Sequence, residues 1–124
     1  MKNKRLNILG SKLEKCSETL VTGYTRNGCC ESIDSDLGKH IICAEMTKSF
    51  LLFSLSKGND LITPRTEFQF PGLEPGDRWC LCTDRWIQAY KNGCAPKIIL
   101  QATNEIVIKK IEIKILKKFA LDLN

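Results

Sequence analysis

Cys80 and Cys82, bracketed by Arg78 and Arg85, are the residues of this 124-residue chain whose types and spacing point most directly to chemistry. On an extended strand side chains alternate, so Arg78, Cys80 and Cys82 share one face while Trp79 and Leu81 take the other. Thr83 or Asp84 then caps a helix running to about Lys91, with Gly93 at its end. Cys82 therefore lies just ahead of a helix N-terminus. Partial positive charge and free backbone N–H groups there stabilise a thiolate, and Arg78 or Arg85 adds support. On this reading Cys82 is a nucleophile and Cys80 is its resolving neighbour or a second metal ligand. Buried free cysteine is also a common core residue, and Cys-x-Cys is a weaker motif than paired Cys-x-x-Cys knuckles.

His40 and Cys43 form a second constellation. His40 is the chain's one histidine and follows Asp34, Asp36, Gly38 and Lys39 at a loop-to-strand junction. It offers a general base for a thiol, or a metal ligand. A regular strand puts His40 and Cys43 on opposite faces, so both join one site only if His40 precedes the strand. Adjacent Cys29 and Cys30 diverge on an extended backbone, one toward a site and the other toward the core. Cys16 and Cys94 read as isolated packed residues. Asp34-x-Asp36 fails the EF-hand pattern, because Gly38 and Lys39 occupy its fifth and sixth positions. Gly58-Asn59-Asp60 and Thr63-Pro64-Arg65 offer polar groups to an anion but match no phosphate-loop pattern.

Three uses fit these residues. The first is a thiol-dependent site, with Cys82 as nucleophile or redox centre, Cys80 beside it, His40 as base and Arg78 or Arg85 as electrostatic support; it implies a small-molecule or thiol substrate. The second is a metal module in which His40, Cys43, Cys80 and Cys82 supply a set suited to zinc or another thiophilic ion. The third is a non-catalytic interaction protein whose cysteines are packed.

Seven cysteines cannot all pair within one chain. The first ten residues hold no apolar run of signal-peptide length, which reads as a cytoplasmic location. In a reducing compartment the cysteines are expected as thiols or metal ligands rather than a disulfide framework. No stretch approaches membrane-span length. Charge is mildly basic, 19 Lys and Arg against 14 Asp and Glu. With 7% aromatic residues, not interleaved among the basic ones, a stacking platform for nucleic acid is not indicated. The hydrophobic share of 43% supports one globular domain.

The expected fold is α+β: a single small domain, residues 13–124, preceded by an N-terminal arm, residues 1–12. A mixed sheet of short strands packs with two to three helices and long irregular loops. Strands are expected at Leu20–Thr25, His40–Met46, Arg78–Cys82 and Lys97–Thr103. Thr47 caps a buried helix over Lys48–Ser56, and Gly58 ends it. Asn59–Gly76, with Pro64, Pro71 and Pro75, is a long irregular segment. The order strand, helix, strand after Arg78 suggests a parallel crossover. The tail reads as a strand near Ile106–Ile111 followed by a helix through Leu121.

Several runs resemble a known family: Thr22-Gly-Tyr-Thr-Arg-Asn-Gly-Cys-Cys30, Gly38-Lys-His-Ile-Ile-Cys-Ala44, Gly58-Asn-Asp-Leu61, Phe70-Pro-Gly-Leu73 and Pro75-Gly-Asp-Arg-Trp-Cys-Leu-Cys82. They are similar to the bacterial domain-of-unknown-function family 2237, from about Leu13 to Leu121. The resemblance implies a stand-alone cytosolic domain and no particular activity. It includes Cys16, Cys29, His40, Cys43, Cys80 and Cys82. One departure stands out: the family tends to show Thr-His-Glu where this chain has Thr103-Asn104-Glu105. Asn104 can orient a ligand by hydrogen bonding but cannot shuttle protons near neutral pH.

Overall fold

An antiparallel pair of strands, β1 (His40–Glu45) and β2 (Arg78–Cys82), lies at the centre of the computed structural model, which describes residues 6–123. Both strands fall where β-branched and aromatic residues concentrate. Their register sets Cys43 opposite Cys80, Ala44 opposite Trp79 and Glu45 opposite Arg78. The ladder is irregular between His40 and Ile42, and beyond that break His40 faces Cys82. Ile41 is the extra residue of this bulge. It places His40 on the strand face of Cys43, although an uninterrupted strand would separate them.

Helix α1 (Lys48–Ser56) begins as expected. The Thr47 side chain accepts a hydrogen bond from the Phe50 N–H at 3.1 Å, and Gly58 (φ +87) leaves the helix in the left-handed region. Its burial is narrower than the apolar composition suggested. Phe50, Leu51 and Ser54 are buried, whereas Leu52 and Leu55 are half exposed. Helix α2 (Thr83–Lys91) follows β2 without a loop, so Cys82, not Thr83 or Asp84, is its N-cap residue. Trp86 anchors α2 in the core. It donates from Nε1 to the Pro96 carbonyl at 3.1 Å and meets Phe119 edge-on.

The α+β class holds, but among the described residues the sheet is this one antiparallel pair rather than a mixed sheet. The run Leu20–Thr25 is no strand. Gly23 (φ +90), Arg26 (φ 61) and Gly28 (φ +87) bend it into successive turns, and Thr22 points inward. The expected strand Lys97–Thr103 shrinks to isolated bridges from Ile98 to Ala44 and to Ala120. The cause lies downstream: the Asp122 carboxylate accepts from the Leu100 and Gln101 N–H groups at 2.8 and 2.9 Å, and Leu100–Ala102 coils as a 3₁₀ turn. Among the described residues no parallel crossover forms. The expected strand near Ile106–Ile111 is a 3₁₀ turn over Glu105–Lys109, capped by the Asn104 side-chain Oδ1, which accepts from the Ile106 N–H. Helix α3 (Ile113–Lys118) follows and ends before Leu121. Asn59–Gly76 is irregular apart from a 3₁₀ turn at Thr66–Phe68.

Residues 6–12 lie against the body of the domain. Asn7 is buried and donates to the carbonyls of Lys12 and Gln101, and the Ile8 N–H donates to the Thr103 carbonyl. Among the described residues no helix is long and apolar enough to cross a membrane.

Candidate functional site

The register that opposes His40 and Cys82 also opens a cleft of about 460 Å³, lined by both residues and by Gly23, Gly38, Cys80 and Arg85. Cys82 closes β2 with extended backbone angles and is half exposed. Its thiol is unpaired with another cysteine and makes no capping hydrogen bond to α2. It stands at the start of a helix whose first N–H groups carry partial positive charge.

His40 is held from behind. The buried Asp36 carboxylate meets His40 Nδ1 at 2.7 Å through one oxygen and accepts the His40 backbone N–H at 2.8 Å through the other. A carboxylate can only accept, so Nδ1 carries the proton of this bond and, in a neutral ring, Nε2 carries the lone pair. The imidazole remains 42% exposed on the side of the cleft. Gly38 makes room for this arrangement. A Cβ there would stand 2.9 Å from His40 Cε1. Lys39, between them, adopts φ 50, a left-handed conformation that is unfavourable for lysine. Its carbonyl accepts from both the N–H and the hydroxyl of Thr83, at 3.1 and 2.8 Å. The loop carrying His40 is thereby tied to the first residue of α2, one position from Cys82.

Arg85, one turn into α2, reaches the cleft wall, where Nη1 donates to the Lys57 carbonyl and the Gln88 side chain at 3.3 and 3.4 Å. Arg78 does not belong here. It is exposed at the other end of β2, about 13 Å of strand from Cys82, and borders a separate recess beside Gly76 and Asp77. The Gly58-Asn59-Asp60 run serves its own loop. Thr63 hydroxyl, then the Thr63 and Ile62 N–H groups, hold the Asp60 carboxyl below the usual carboxylate range.

Four of the seven cysteines are paired, Cys16 with Cys43 and Cys30 with Cys80. This corrects the expectation that the chain carries no disulfide framework, and it removes Cys80 as a free resolving thiol. It also gives Cys16 a partner. Cys43 and Cys80 face each other across the ladder, yet each bonds outward to a loop cysteine. The two bridges tie the segment around residues 16–30 to the sheet. All four cysteines are buried with Ile99 and Ala102 in a small apolar cluster of their own.

His40, Cys43, Cys80 and Cys82 share a strand face, but the ligating atoms that converge are a different group. The sulfurs of Cys16, Cys30 and Cys80 all lie within 4.8 Å of one another. Cys29, Cys82 and Cys94 lie outside both disulfides and are half-buried. Burial pushes the Cys94 thiol up from its ordinary range, and its sulfur lies 3.7 Å from the Ala89 carbonyl. Sequence reasoning missed Asp36, Gly38, Cys16 and Cys30. The spacing Asp36-x-Gly38-x-His40 is the available signal for the first two; Asp36 enters the sequence reading only through the pair Asp34-x-Asp36, which fails the calcium-loop pattern.

A family model describing uncharacterised proteins conserved in bacteria, DUF2237, matches residues 6–120. The chain belongs to this family. Among proteins of curated function, none matches it. The DUF2237 match spans both the His40–Cys82 cleft and the four-sulfur cluster. Asn104, the point of departure, is buried beside that cluster. Its side-chain amide donates to the Cys30 carbonyl at 3.2 Å.

Proposed function

We propose that this domain carries a thiol-dependent site in which Cys82 is the nucleophile, His40 its base and Asp36 the group that positions His40. The supporting observation is that His40, held by the buried Asp36 carboxylate, stands opposite Cys82 in the strand register and lines the same cleft. The constellation has the roles of a nucleophile–histidine–carboxylate triad. Nε2 takes the Cys82 proton, the sulfur bonds to an electrophilic atom in the cleft, and the imidazolium returns the proton to the leaving group. Asp36 stabilises the imidazolium while it exists. Arg85 favours a substrate with a negative charge near the reacting atom. Cys80 contributes to the cleft wall but not as a thiol. Arg78 has no part.

The test is the rate at which each cysteine outside the two disulfides is alkylated in native protein at neutral pH, read residue by residue by mass spectrometry. Cys82 should react fastest of Cys29, Cys82 and Cys94. His40→Ala should slow Cys82 at least tenfold, within the usual worth of a positioned base. Equal rates for the three thiols, or no effect of His40→Ala, count decisively against this assignment.

A further inference from the structure

We infer that the four-sulfur cluster, once reduced, is a closed tetrathiolate site for one zinc-class cation, and that a hydroperoxide empties it by turning its ligands into the two disulfides seen here. Zinc–sulfur bonds of about 2.3 Å in a tetrahedron put ligand sulfurs roughly 3.8 Å apart. The Cys16, Cys30 and Cys80 sulfurs already lie within 4.8 Å of one another, and the Cys43 sulfur is bonded to that of Cys16. Cys43 lies in the same buried cluster, and once released from Cys16 its side chain must turn toward Cys30 and Cys80 to complete the tetrahedron.

The backbones need not move, because they are pinned independently of the sulfur–sulfur bonds. The Cys16 N–H donates to the Gly28 carbonyl at 2.7 Å, the Cys80 N–H to the Thr22 hydroxyl at 2.8 Å, and the Cys43 N–H to the Thr103 hydroxyl at 3.1 Å. Cys30 is held through its carbonyl by Asn104. Breaking both disulfides therefore leaves four thiols facing one small apolar space. An all-sulfur set selects thiophilic ions over magnesium or calcium.

Gly23 supplies the route in. It lines the cleft, and a Cβ on it would sit 3.7 Å from the Cys80 sulfur. The Cys29 carbonyl fills the space a side chain would need, and Cys80 itself lines the same cleft. In the oxidative step four zinc-bound thiolates each lose one electron and two S–S bonds form. Two hydroperoxide O–O bonds break, four protons complete four waters when the oxidant is hydrogen peroxide, and one Zn²⁺ leaves.

Cys82 is outside this set, so the inference stands apart from the thiol site. The test uses full-length protein reduced without oxygen and titrated with Zn²⁺ or Co²⁺. One ion per chain is expected, with the cobalt spectrum of four tetrahedral thiolates. Two equivalents of hydrogen peroxide should then release one zinc to a coloured chelator and reduce the alkylatable cysteines from seven to three. Cys43→Ala should weaken uptake at least tenfold, and Cys82→Ser should leave it unchanged. Reduced protein that takes up no stoichiometric ion, folded or not, overturns the inference. So does a cobalt spectrum with fewer than four sulfurs, or loss of uptake in Cys82→Ser.

Discussion

Replacing Gly38 by alanine separates the proposed chemistry from stability more cleanly than replacing a reacting group. Gly38 is not in the left-handed region, so its backbone accepts a side chain. The added Cβ would lie 2.9 Å from His40 Cε1 and 3.5 Å from each ring nitrogen. Ordinary carbon contact is about 3.5–4.0 Å, so the ring must retreat by roughly 0.6–1 Å. The 2.7 Å link from Nδ1 to Asp36 then stretches toward the hydrogen-bond limit of about 3.5 Å. Hydrogen bonds to charged partners contribute about 1.5–3 kcal/mol, and the half-exposed ring argues for the lower end. About 1.5 kcal/mol is close to a factor of ten. Cys82 alkylation at neutral pH should therefore slow about tenfold in Gly38→Ala, with Cys29 and Cys94 unchanged. The flexible imidazole absorbs the clash itself, so the cost is the weakened hydrogen bond, and about 1.5 kcal/mol lowers the thermal midpoint of a chain this size by about 6 °C. A Cys82 rate within twofold of the parent protein would refute the reasoning, because His40 would then be displaced without consequence.

The disulfides yield a second expectation. They close loops of 27 and 50 residues, which chain entropy converts to about 3.5 and about 4 kcal/mol. The Cys16→Ala/Cys43→Ala and Cys30→Ala/Cys80→Ala proteins should each lose stability on that scale in denaturant titrations of the non-reduced proteins. Cys94 yields a pH expectation. Its thiol is pushed up by burial, so it is protonated at neutral pH, and its labelling should keep rising as pH passes the ordinary thiol range. Labelling of Cys94 that has already levelled off at neutral pH would contradict this.

The elements legible in the sequence are those with local signals at both ends. Thr47 and Gly58 bound α1, and Gly93 follows α2 in the same left-handed region. The β1 and β2 segments announce themselves by composition, and Cys82 before a helix was readable from spacing. What was not legible depends on distant partners. The run Lys97–Thr103 has the residues of a strand, but Asp122 takes two of its N–H groups. The alternating isoleucines of the tail meet a cap from Asn104 and coil instead. The disulfide pairs are 27 and 50 residues apart, and no local spacing encodes them. Asp36 was visible as an acid. Its role emerges only when the Lys39 turn brings His40 back over it.

The bulge at Ile41 acts as a change of parity in the alternation of β1. Ile41, Ile42, Cys43 and Ala44 are all buried, so the strand fills core on both sides while His40 is returned to the face of Cys82. Deleting Ile41 would make the ladder regular, with Ile42 still opposite Leu81 and His40 still facing Cys82. A ladder made regular with Ile41 retained would instead send the base and its nucleophile to opposite sides of the sheet. The bulge is therefore what lets a strand with one residue too many hold the site together.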